Sequence, residues 1–428
     1  MFWNTNYQRE SVFPNTNRMA LKNMNFTEIE PLLDASERLV SETELNFRRS
    51  LANEIDWNDR LICLKGPKGT GKTTLILQHI KESFGARSEK AVYLALDHLW
   101  FSSHDILPVI DWLYANEYTH VFLDEVHHAE NWQALVKTIC DFYPKLNVVY
   151  SGSSILKLTS LKADLSRRQA VYDLKGLSFR EFLKLEGVLD FEPATLETVL
   201  RSHRSMAGDI TDRIKVLPLF RRYLSEGYYP LYRSVSSQFG QRLSEVVSNV
   251  LETDVPSVVD ITQSTIRKAK KMLMILAGSC PQTPNMTGLY RELETDRNVG
   301  IKMFGMLEAA ELIQTVRSGT AEPKLKRLGT VEKVFLGDPN LMNALVPDPD
   351  VGAVRETFFV NQLKAAGHDV VTPQQGDFVV DGKHLFEIGG KGKGFNQIKD
   401  VPDSYVVNDD VEVGRGNKIP LWLFGFLY

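Results

Sequence analysis

Residues 60–80 read RLICLKGPKGTGKTTLILQHI, and this stretch decides the fold of the chain around it. An apolar run leads into a glycine-rich turn, and the residues after the turn have the apolar spacing of a helix. Residues 66–73 fit the pattern G-x-x-x-x-G-K-[ST] in full. Glycines let the backbone curl so that successive N–H groups point at phosphate oxygens. The stretch therefore predicts a phosphate-binding loop between a strand and a helix.

This loop supplies the residues that we expect to bind ATP. Lys72 is placed to bridge the outer phosphates, and the hydroxyl of Thr73 is placed to bind Mg²⁺. The helix that follows directs its positive end at the same anion. The expected nucleotide-binding residues are Gly66, Pro67, Lys68, Gly69, Thr70, Gly71, Lys72, Thr73 and Thr74.

The second motif is acidic, and it follows an apolar run in THVFLDEVHHAENW, which begins at residue 119. We expect Asp124 to join Thr73 in the Mg²⁺ shell and Glu125 to orient an attacking water. His127 and His128 also suggest a metal. However, adjacent side chains point in different directions, and no third ligand has a spacing typical of zinc sites. We interpret the two histidines as polar loop residues.

Hydroxyl groups and arginines follow the next apolar run, NVVYSGSSILKL, which begins at residue 147. Ser151 and Ser153 are candidates for sensing the outer phosphate or the water, and turn capping is the alternative role. Further on, Arg167 or Arg168 is a candidate for supplying positive charge to the transition state, within the chain or across a subunit interface. The alternative is that both arginines lie at the surface and cap the preceding segment.

The order of these patterns predicts the fold class and the domain organisation. Short apolar runs alternate with amphipathic helices between about residues 61 and 187. This order predicts an α/β fold of the P-loop NTPase type, with a parallel sheet covered on both faces. We expect four segments: an extension (1–45), the ATPase domain (46–190), a helical and winged-helix region (191–326) and a small α/β domain (327–428). The winged helix has its second helix near residues 297–310, and the apolar run IPLWLFGFLY is expected to be a final buried strand.

Five motifs, GPKGTGKT, VFLDEVHHAENW, VYSGSS, SRRQAVYDLKGLSFREFL and FRRYLSEGYYPLY, resemble those of one prokaryotic AAA+ ATPase family. That family is related to the archaeal-type and STAND ATPases, and the resemblance covers nearly all of the chain after about residue 46. It implies a winged helix and a C-terminal domain of unknown function that resembles restriction endonucleases. It also implies roles for Lys72, Thr73, Asp124 and Glu125 at the nucleotide, with Ser153 in the sensor motif and Arg168 as the catalytic arginine. Residues 227–230 match the family's G-G-F-P turn, whose aromatic residues lie near the adenine or simply form a helix–helix turn.

The last segment carries a set of residues that is typical of endonuclease-like folds. Such folds place a helical Glu, a strand Asp and a Glu-x-Lys at one sheet edge, where the carboxylates hold a divalent metal. Glu356, Asp377 and Glu387 follow that order, but Gly389 stands where the lysine belongs, and the nearest lysine is Lys391. The glycines either form a bulge that returns the lysine to the site or mark a site without chemistry. We expect a fold retained for binding or assembly and no cleavage of DNA.

The overall composition sets limits on the function. The 428 residues have a formal net charge of -4, which argues against a general polyanion binder. Three distant cysteines indicate reduced thiols, and no secretory signal or membrane span is expected, so the expected location is the cytoplasm. We expect a Mg²⁺-dependent ATPase that couples its nucleotide state to the winged helix and the C-terminal domain, with DNA or protein as partner and homo-oligomers as an option. The alternatives are an ATP-gated DNA-binding protein or metal-dependent nuclease, and a slow nucleotide-regulated switch.

Overall fold

The computed structural model describes residues 26–158, 167–235, 238–319, 331–399 and 401–428. A five-stranded sheet with the order β2-β3-β4-β1-β5 lies in the first half of the chain, and all of its strand pairs are parallel. The predicted parallel sheet is therefore confirmed, and β5 adds a strand that the apolar runs did not indicate. The strands are β1 (Leu61–Gly66), β2 (Ala91–Ala95), β3 (His120–Asp124), β4 (Asn147–Ser153) and β5 (Ala170–Asp173).

Helices cover both faces of this sheet. In β1, Ile62 and Leu64 face the core beneath α2, whereas Leu61 and Cys63 face the core beneath α3 and α4. This alternation is the two-residue period of a strand buried on both faces. The first helix lies within the N-terminal extension and packs against β2 and α2. The helices are α1 (Phe26–Glu42), α2 (Lys72–Ser83), α3 (Ile106–Ala115) and α4 (Trp132–Phe142).

A helical region follows the first sheet. Its first helix begins with a capping box in which Ser178 and Glu181 satisfy each other's backbone N–H groups. Two π-helical turns, Tyr223–Gly227 and Val250–Asp254, interrupt the later helices. The region contains α5 (Phe179–Leu185), α6 (Leu196–Thr211), α7 (Val216–Arg222), α8 (Phe239–Asn249) and α9 (Val255–Val258).

Three helices and a hairpin then follow, in the segment where we predict a winged helix. The third helix, α12, packs against the 3₁₀ turn Ser154–Leu158, which directly follows β4. The hairpin strands β6 and β7 pair antiparallel. The proposed boundary between residues 326 and 327 falls between these two strands, outside the described residues. The elements are α10 (Gln263–Ala277), α11 (Met286–Glu292), α12 (Arg297–Ala309), β6 (Ile313–Ser318) and β7 (Val331–Leu336).

The hairpin continues into the sheet of the last segment. Seven strands have the order β12-β11-β10-β9-β8-β6-β7, because β6 pairs in parallel with β8. The helix expected near residues 352–366 is present as α14. The remaining elements are α13 (Pro339–Leu345), α14 (Val351–Ala365), β8 (Val370–Thr372), β9 (Phe378–Val380), β10 (His384–Gly389), β11 (Ser404–Asn408) and β12 (Lys418–Pro420).

The final apolar run is buried as predicted, but the prediction of a strand is wrong. Leu421–Phe426 is a 3₁₀ helix that begins directly after Pro420. Its side chains join one core with α5, α6 and α14, so residues on several sides of the run need apolar partners. A short, wholly apolar run has no period by which a strand can be told from a helical turn.

Candidate nucleotide site

The carboxyl ends of β1, β3 and β4 meet at one edge of the first sheet. The phosphate-binding loop joins β1 to α2, Asp124 ends β3, and Ser153 ends β4. The register pairs Gly66 with Ser153, so the start of the loop lies beside the end of β4. Ligands of open parallel sheets bind at this edge.

Glycines shape the loop at positions where a side chain would not fit or would be strained. Gly69 and Gly71 have φ angles of +86° and +95°, in the left-handed region. A Cβ at Gly66 would lie 2.2 Å from the carbonyl oxygen of Leu174. The loop therefore needs the glycines that the motif prescribes.

The side chain of Lys72 folds back onto the start of its own loop. The side chain is buried, and its ammonium donates to the carbonyl oxygens of Gly66 at 2.9 Å and Pro67 at 3.1 Å. Gly71, the N-cap residue of α2, has no side chain with which to cap the helix. The first-turn N–H groups are then available for an anion, and Lys72 is the adjacent cation.

Asp124 is the buried centre of the site. Its Oδ2 accepts hydrogen bonds from Thr73 Oγ1 at 2.6 Å and from the Tyr93 hydroxyl at 2.7 Å. Its Oδ1 accepts from Ser151 Oγ and from the backbone N–H of Glu125. Burial, followed by the charge of Asp124, raises the pKa of Tyr93, which keeps that hydroxyl a donor. The donor set of one carboxylate and one hydroxyl fits a hard cation such as Mg²⁺.

Glu125 has an unusual backbone conformation. Its φ of 52° and ψ of 47° lie in the left-handed region, which is uncommon for a residue other than glycine and occurs often at active sites. The conformation directs its N–H to Asp124 and to Ser151 Oγ at 3.3 Å. Its carboxylate Oε2 lies 3.4 Å from Nδ1 of His127.

The two serines of β4 have different environments. The hydroxyl of Ser151 contacts Asp124, so it helps to orient the acidic motif. The hydroxyl of Ser153 is buried beside Gly66 and has no hydrogen-bond partner in the part of the chain that the structure describes. A buried polar atom without a partner is uncommon, and this one is next to the loop.

Arg168 does not lie with the other predicted site residues. It precedes β5, and β5 begins opposite Ile62, so Arg168 is at the amino edge of the sheet, opposite the loop. Its guanidinium pairs with Asp141 at the end of α4. Arg167 lies beside it. The within-chain role considered for these arginines is not compatible with this arrangement.

A cavity of about 290 Å³ adjoins the loop on the side of α2. Pro230 lines it, and the rings of Tyr228 and Tyr229 are buried beside it, where the Tyr229 hydroxyl donates to Asp338 at 2.7 Å. The Tyr229 ring also borders the loop, since its Cδ1 lies 3.7 Å from a Cβ placed at Gly69, and the position of this turn near the adenine stays a prediction. The other lining residues include Thr43, Asn46, Phe47, Thr74, Gln78 and Arg233.

Three residues at this edge were not found from the sequence. Tyr93 lies on β2, the strand next to β3 and its acidic motif, and Arg49 precedes the predicted ATPase strands. The guanidinium of Arg49 donates to the carbonyl of Thr70 at 2.6 Å and pairs with buried Glu181. Asp254, from the π turn of the helical region, lies 3.4 Å from Nζ of Lys68. None of the three belongs to a local motif, so no sequence signal indicated them.

The predicted acidic residues of the last segment lie in one part of the fold, but they are not among the described groups whose ligand atoms all lie within 4.8 Å of one another. Burial raises the pKa of both Glu356 and Glu387, and the charge of Asp377 acts in the same direction on each. Lys393, rather than the suggested Lys391, forms an ion pair with Glu387. The oxygen Oδ2 of Asp377 accepts from the N–H of Ile388 at 2.7 Å. A lysine and a backbone N–H of the same segment therefore offset the negative charge of these carboxylates.

Residues 58–183 match the model of a family described as an AAA domain. The strand order and the glycine loop described above agree with this match. Residues 58–183 are therefore similar to an AAA domain. The chain thus carries a nucleotide-binding domain of the P-loop ATPase type, which confirms the coarse prediction from the loop motif.

Other comparisons cover more of the chain but add little about function. Residues 217–351 match a family model described only as a domain of unknown function. An uncharacterized protein of Methanocaldococcus jannaschii is 23% identical over 413 residues, which span 86% of this chain and 85% of that protein. Both comparisons extend beyond the AAA domain, and neither description names an activity.

Solved structures with local similarity include two nucleotide complexes. The Hsp104–ADP complex of S. cerevisiae aligns with 66% of this chain and 39% of its own, at 14% identity and a TM-score of 0.28. AMPPCP-bound DnaA from Aquifex aeolicus aligns with 63% of this chain and 86% of its own, at 15% identity and a TM-score of 0.26. Separately, among the described residues, no helix combines the length and the apolar character needed to cross a membrane.

Proposed function

We propose that this protein is a Mg²⁺-dependent ATPase whose nucleotide state controls the contact between the AAA domain and the helical region. The observation that carries the proposal is the hydrogen bond between Thr73 and Asp124, at the base of the glycine loop and beside Glu125. It joins the two motifs that a hydrolytic P-loop site requires.

The residues of the site have separable roles in this proposal. The loop N–H groups and Lys72 bind the phosphate chain of ATP, and Lys72 exchanges its two carbonyl contacts for phosphate oxygens. Thr73 and Asp124 hold Mg²⁺, which neutralises charge on the outer phosphates when it is bound. Glu125 accepts a proton from the attacking water as the water oxygen bonds to the γ-phosphorus and the bond from that phosphorus to the bridging β,γ-oxygen breaks, which leaves ADP and phosphate. Ser153 donates its free hydroxyl to the γ-phosphate or to the water.

The helical region is placed to respond to the nucleotide. Lys68 of the loop donates to Asn249 at 3.1 Å and lies 3.4 Å from Asp254, both of which belong to that region. A phosphate chain in the loop competes with these groups for the Lys68 ammonium. We propose that ATP binding weakens this contact and so moves the helical region.

The packing of the winged-helix elements favours an internal role for them. Helix α12 lies against the turn after β4 instead of standing free, and Glu311 after it pairs with Lys175 at 2.8 Å. Lys302 of α12 donates to the carbonyl of Asp260. We propose that this region covers the AAA domain and that the last segment serves binding or assembly without cutting DNA.

Loss of Lys72 tests the proposal. The variant Lys72→Ala removes the phosphate-facing cation without removing an apolar core residue, and we expect loss of both ATP binding and turnover. Isothermal titration with ATP and Mg²⁺ and a phosphate-release assay measure the two quantities. Lys90→Ala, which removes an exposed lysine at the opposite edge of the sheet, is the control. Unchanged affinity and turnover in Lys72→Ala would refute the assignment.

Arg168 fits the proposal only if a second copy of the chain takes part. Its position at the amino edge leaves its guanidinium able to face the nucleotide of a neighbouring subunit. We propose this role for Arg168, with Asp141 as its partner in the isolated chain. A mixture of the Arg168→Ala and Lys72→Ala proteins should hydrolyse ATP, although neither variant does so alone. A mixture without ATPase activity would argue against a role for Arg168 in the neighbouring subunit.

A further inference from the structure

A cluster of two histidines and an aspartate lies next to Glu125, outside the contacts assigned to ATP and Mg²⁺. His127 and His128 lie in the 3₁₀ turn Val126–His128, directly after β3. Asp254 ends the π turn Val250–Asp254 of the helical region. One potential ligand atom of each residue lies within 4.8 Å of those of the other two. The fold therefore brings Asp254 to the two histidines as a third potential ligand, which no local spacing in the sequence indicates.

The cluster contains buried polar atoms that lack partners. His127 and Asp254 are 2% and 0% exposed. Both ring nitrogens of His127 and the Oδ2 atom of Asp254 are buried without a hydrogen-bond partner among the described residues. The distance from His127 Nε2 to Asp254 Oδ1 is 3.7 Å, which is too long for a hydrogen bond but compatible with an atom between them. Buried polar groups are normally satisfied, so the geometry indicates a missing partner.

We propose that His127, His128 and Asp254 bind a divalent transition-metal ion of the Zn²⁺ class. Two imidazole nitrogens and one carboxylate suit Zn²⁺, Co²⁺ or Ni²⁺, whereas Mg²⁺ and Ca²⁺ prefer oxygen ligands. Three protein ligands leave a position for water. The site is therefore chemically distinct from the Mg²⁺ site at Thr73 and Asp124.

Glu125 is the outer partner of this metal site. Its Oε2 lies 3.4 Å from Nδ1 of His127, the ring nitrogen on the side away from Asp254. A metal-bound histidine commonly donates its other N–H to a carboxylate, which orients both groups. Metal binding would then fix the carboxylate that we assign to water activation. This regulatory consequence rests on the proposed ATPase function, but metal binding itself does not.

Lys68 is the group that opposes the metal. Its ammonium lies 3.4 Å from the Oδ1 atom of Asp254, so a cation bound by Asp254 repels it. Asn249 Oδ1 is already 3.1 Å from the same ammonium and provides a neutral partner. The ion therefore displaces the Lys68 contact between the phosphate-binding loop and Asp254, and it links the turn after β3 to the helical region instead.

Cobalt binding to the whole chain tests this site directly. Co²⁺ is titrated into nucleotide-free protein with Mg²⁺ in excess, so that the Thr73–Asp124 site is not a competitor, and visible ligand-field absorption is recorded. We expect one Co²⁺ per chain, displaced by Zn²⁺. His128→Ala and Asp254→Asn should each weaken Co²⁺ binding at least about tenfold. His368→Ala removes a histidine paired with Asp381 elsewhere and should leave the titration unchanged.

The variants separate the site from general effects on folding. His128 is only half-buried and Asn has the shape of Asp, so circular dichroism should show native melting in both variants. The proposal is overturned if the folded wild-type chain binds no stoichiometric Co²⁺, or if both variants bind it as tightly as wild type. Lys72→Ala should retain Co²⁺ binding while losing ATP. If Lys72→Ala retains ATP binding instead, the proposed ATPase function fails and the metal site stands.

Discussion

Glu125 shows how much one residue depends on its neighbours at this site. Its left-handed backbone is held by hydrogen bonds from its own N–H to Asp124 and Ser151, so its carboxylate has a defined direction. The sequence indicated the Asp-Glu pair because both follow an apolar strand. It did not indicate Tyr93, whose hydroxyl reaches Asp124 from the neighbouring strand, because pairing between strands distant in sequence has no local pattern.

The variant Glu125→Gln should separate ATP binding from hydrolysis. The amide keeps the shape of the side chain but cannot accept a proton, so we expect turnover to fall by about 10²–10⁴-fold with ATP still bound. Single-turnover phosphate release and titration with ATP measure the two effects. Glu130→Gln, an exposed change on the same loop, is the control. Hydrolysis at the wild-type rate in Glu125→Gln would assign the base to another residue.

Asp338 should make the stability of the protein depend on pH. Burial raises the pKa of this carboxyl from 3.8 to about 7 in the folded state. The unfolded chain loses the proton first as pH rises, so the contribution to stability falls between these values and is constant above them. Each pKa unit corresponds to about 1.4 kcal/mol, so the expected loss is a few kcal/mol.

The variant Asp338→Asn should remove this slope while keeping the hydrogen bond from Leu341 N–H that caps α13. Urea midpoints at about pH 5 and about pH 8 measure the difference. Asp350→Asn changes the exposed aspartate that caps α14 and should keep the wild-type slope. A wild-type protein equally stable at both pH values would contradict the prediction.

At the scale of elements, a strand could be predicted from the sequence where a short apolar run ends in polar residues. Where that pattern is absent, the type of element could not be predicted. Strands β1 to β4 were predicted because each is a short apolar run with polar residues after it. β5 was missed because its four residues are only partly buried and present no such run. The run Leu421–Phe426 was buried but not a strand, since uniform apolar character fixes burial without fixing a period.

Arg49 connects the phosphate-binding loop, the segment after β5 and α5, a contact that the sequence pattern did not indicate. Its guanidinium donates to the carbonyls of Thr70 in the loop and of Lys175 and Gly176 after β5, and it pairs with Glu181 of α5. The Glu181 carboxylate is almost fully buried, and the charge of Arg49 opposes its desolvation, so the net effect is a lowered pKa of Glu181. Arg49 therefore joins the loop to the helical region.

We expect Arg49→Gln to destabilise the fold and weaken ATP binding together. Removing one partner of a buried ion pair leaves the other charge unpaired, at a cost of about 3–5 kcal/mol. Urea unfolding and ATP titration measure the two effects. Arg48→Gln breaks the half-exposed pair with Glu82 and should cost at most about 1 kcal/mol. Equal stability of the two variants would show that the Arg49 contacts do not support the loop.

At the scale of the whole molecule, the helical region, the three helices with the hairpin and the last segment share one core, whereas the parallel sheet has two cores of its own. One cluster contains Phe179 of α5, Tyr223 of the helical region, Phe358 of α14 and Phe426 near the end of the chain. The carbonyl oxygen of Tyr428 accepts from Ser178 Oγ at 2.7 Å. From the sequence, we would expect removal of the last segment to leave ATP binding intact. Such contacts between distant segments cannot be read from local patterns, and they argue against that expectation.

A chain that ends at Leu345 should therefore be unstable and should lose ATP binding. The truncation removes α14 and the final apolar run, and it exposes the rings of α5, the first helix of the helical region. Phe426→Ala, a milder change in the same core, should cost about 3–5 kcal/mol. Phe142→Ala removes a ring that is 74% exposed and should leave stability almost unchanged. Thermal melting and ATP titration compare the three proteins. A truncated chain that melts at the wild-type temperature and binds ATP would mean that the AAA domain and the helical region fold independently of the last segment.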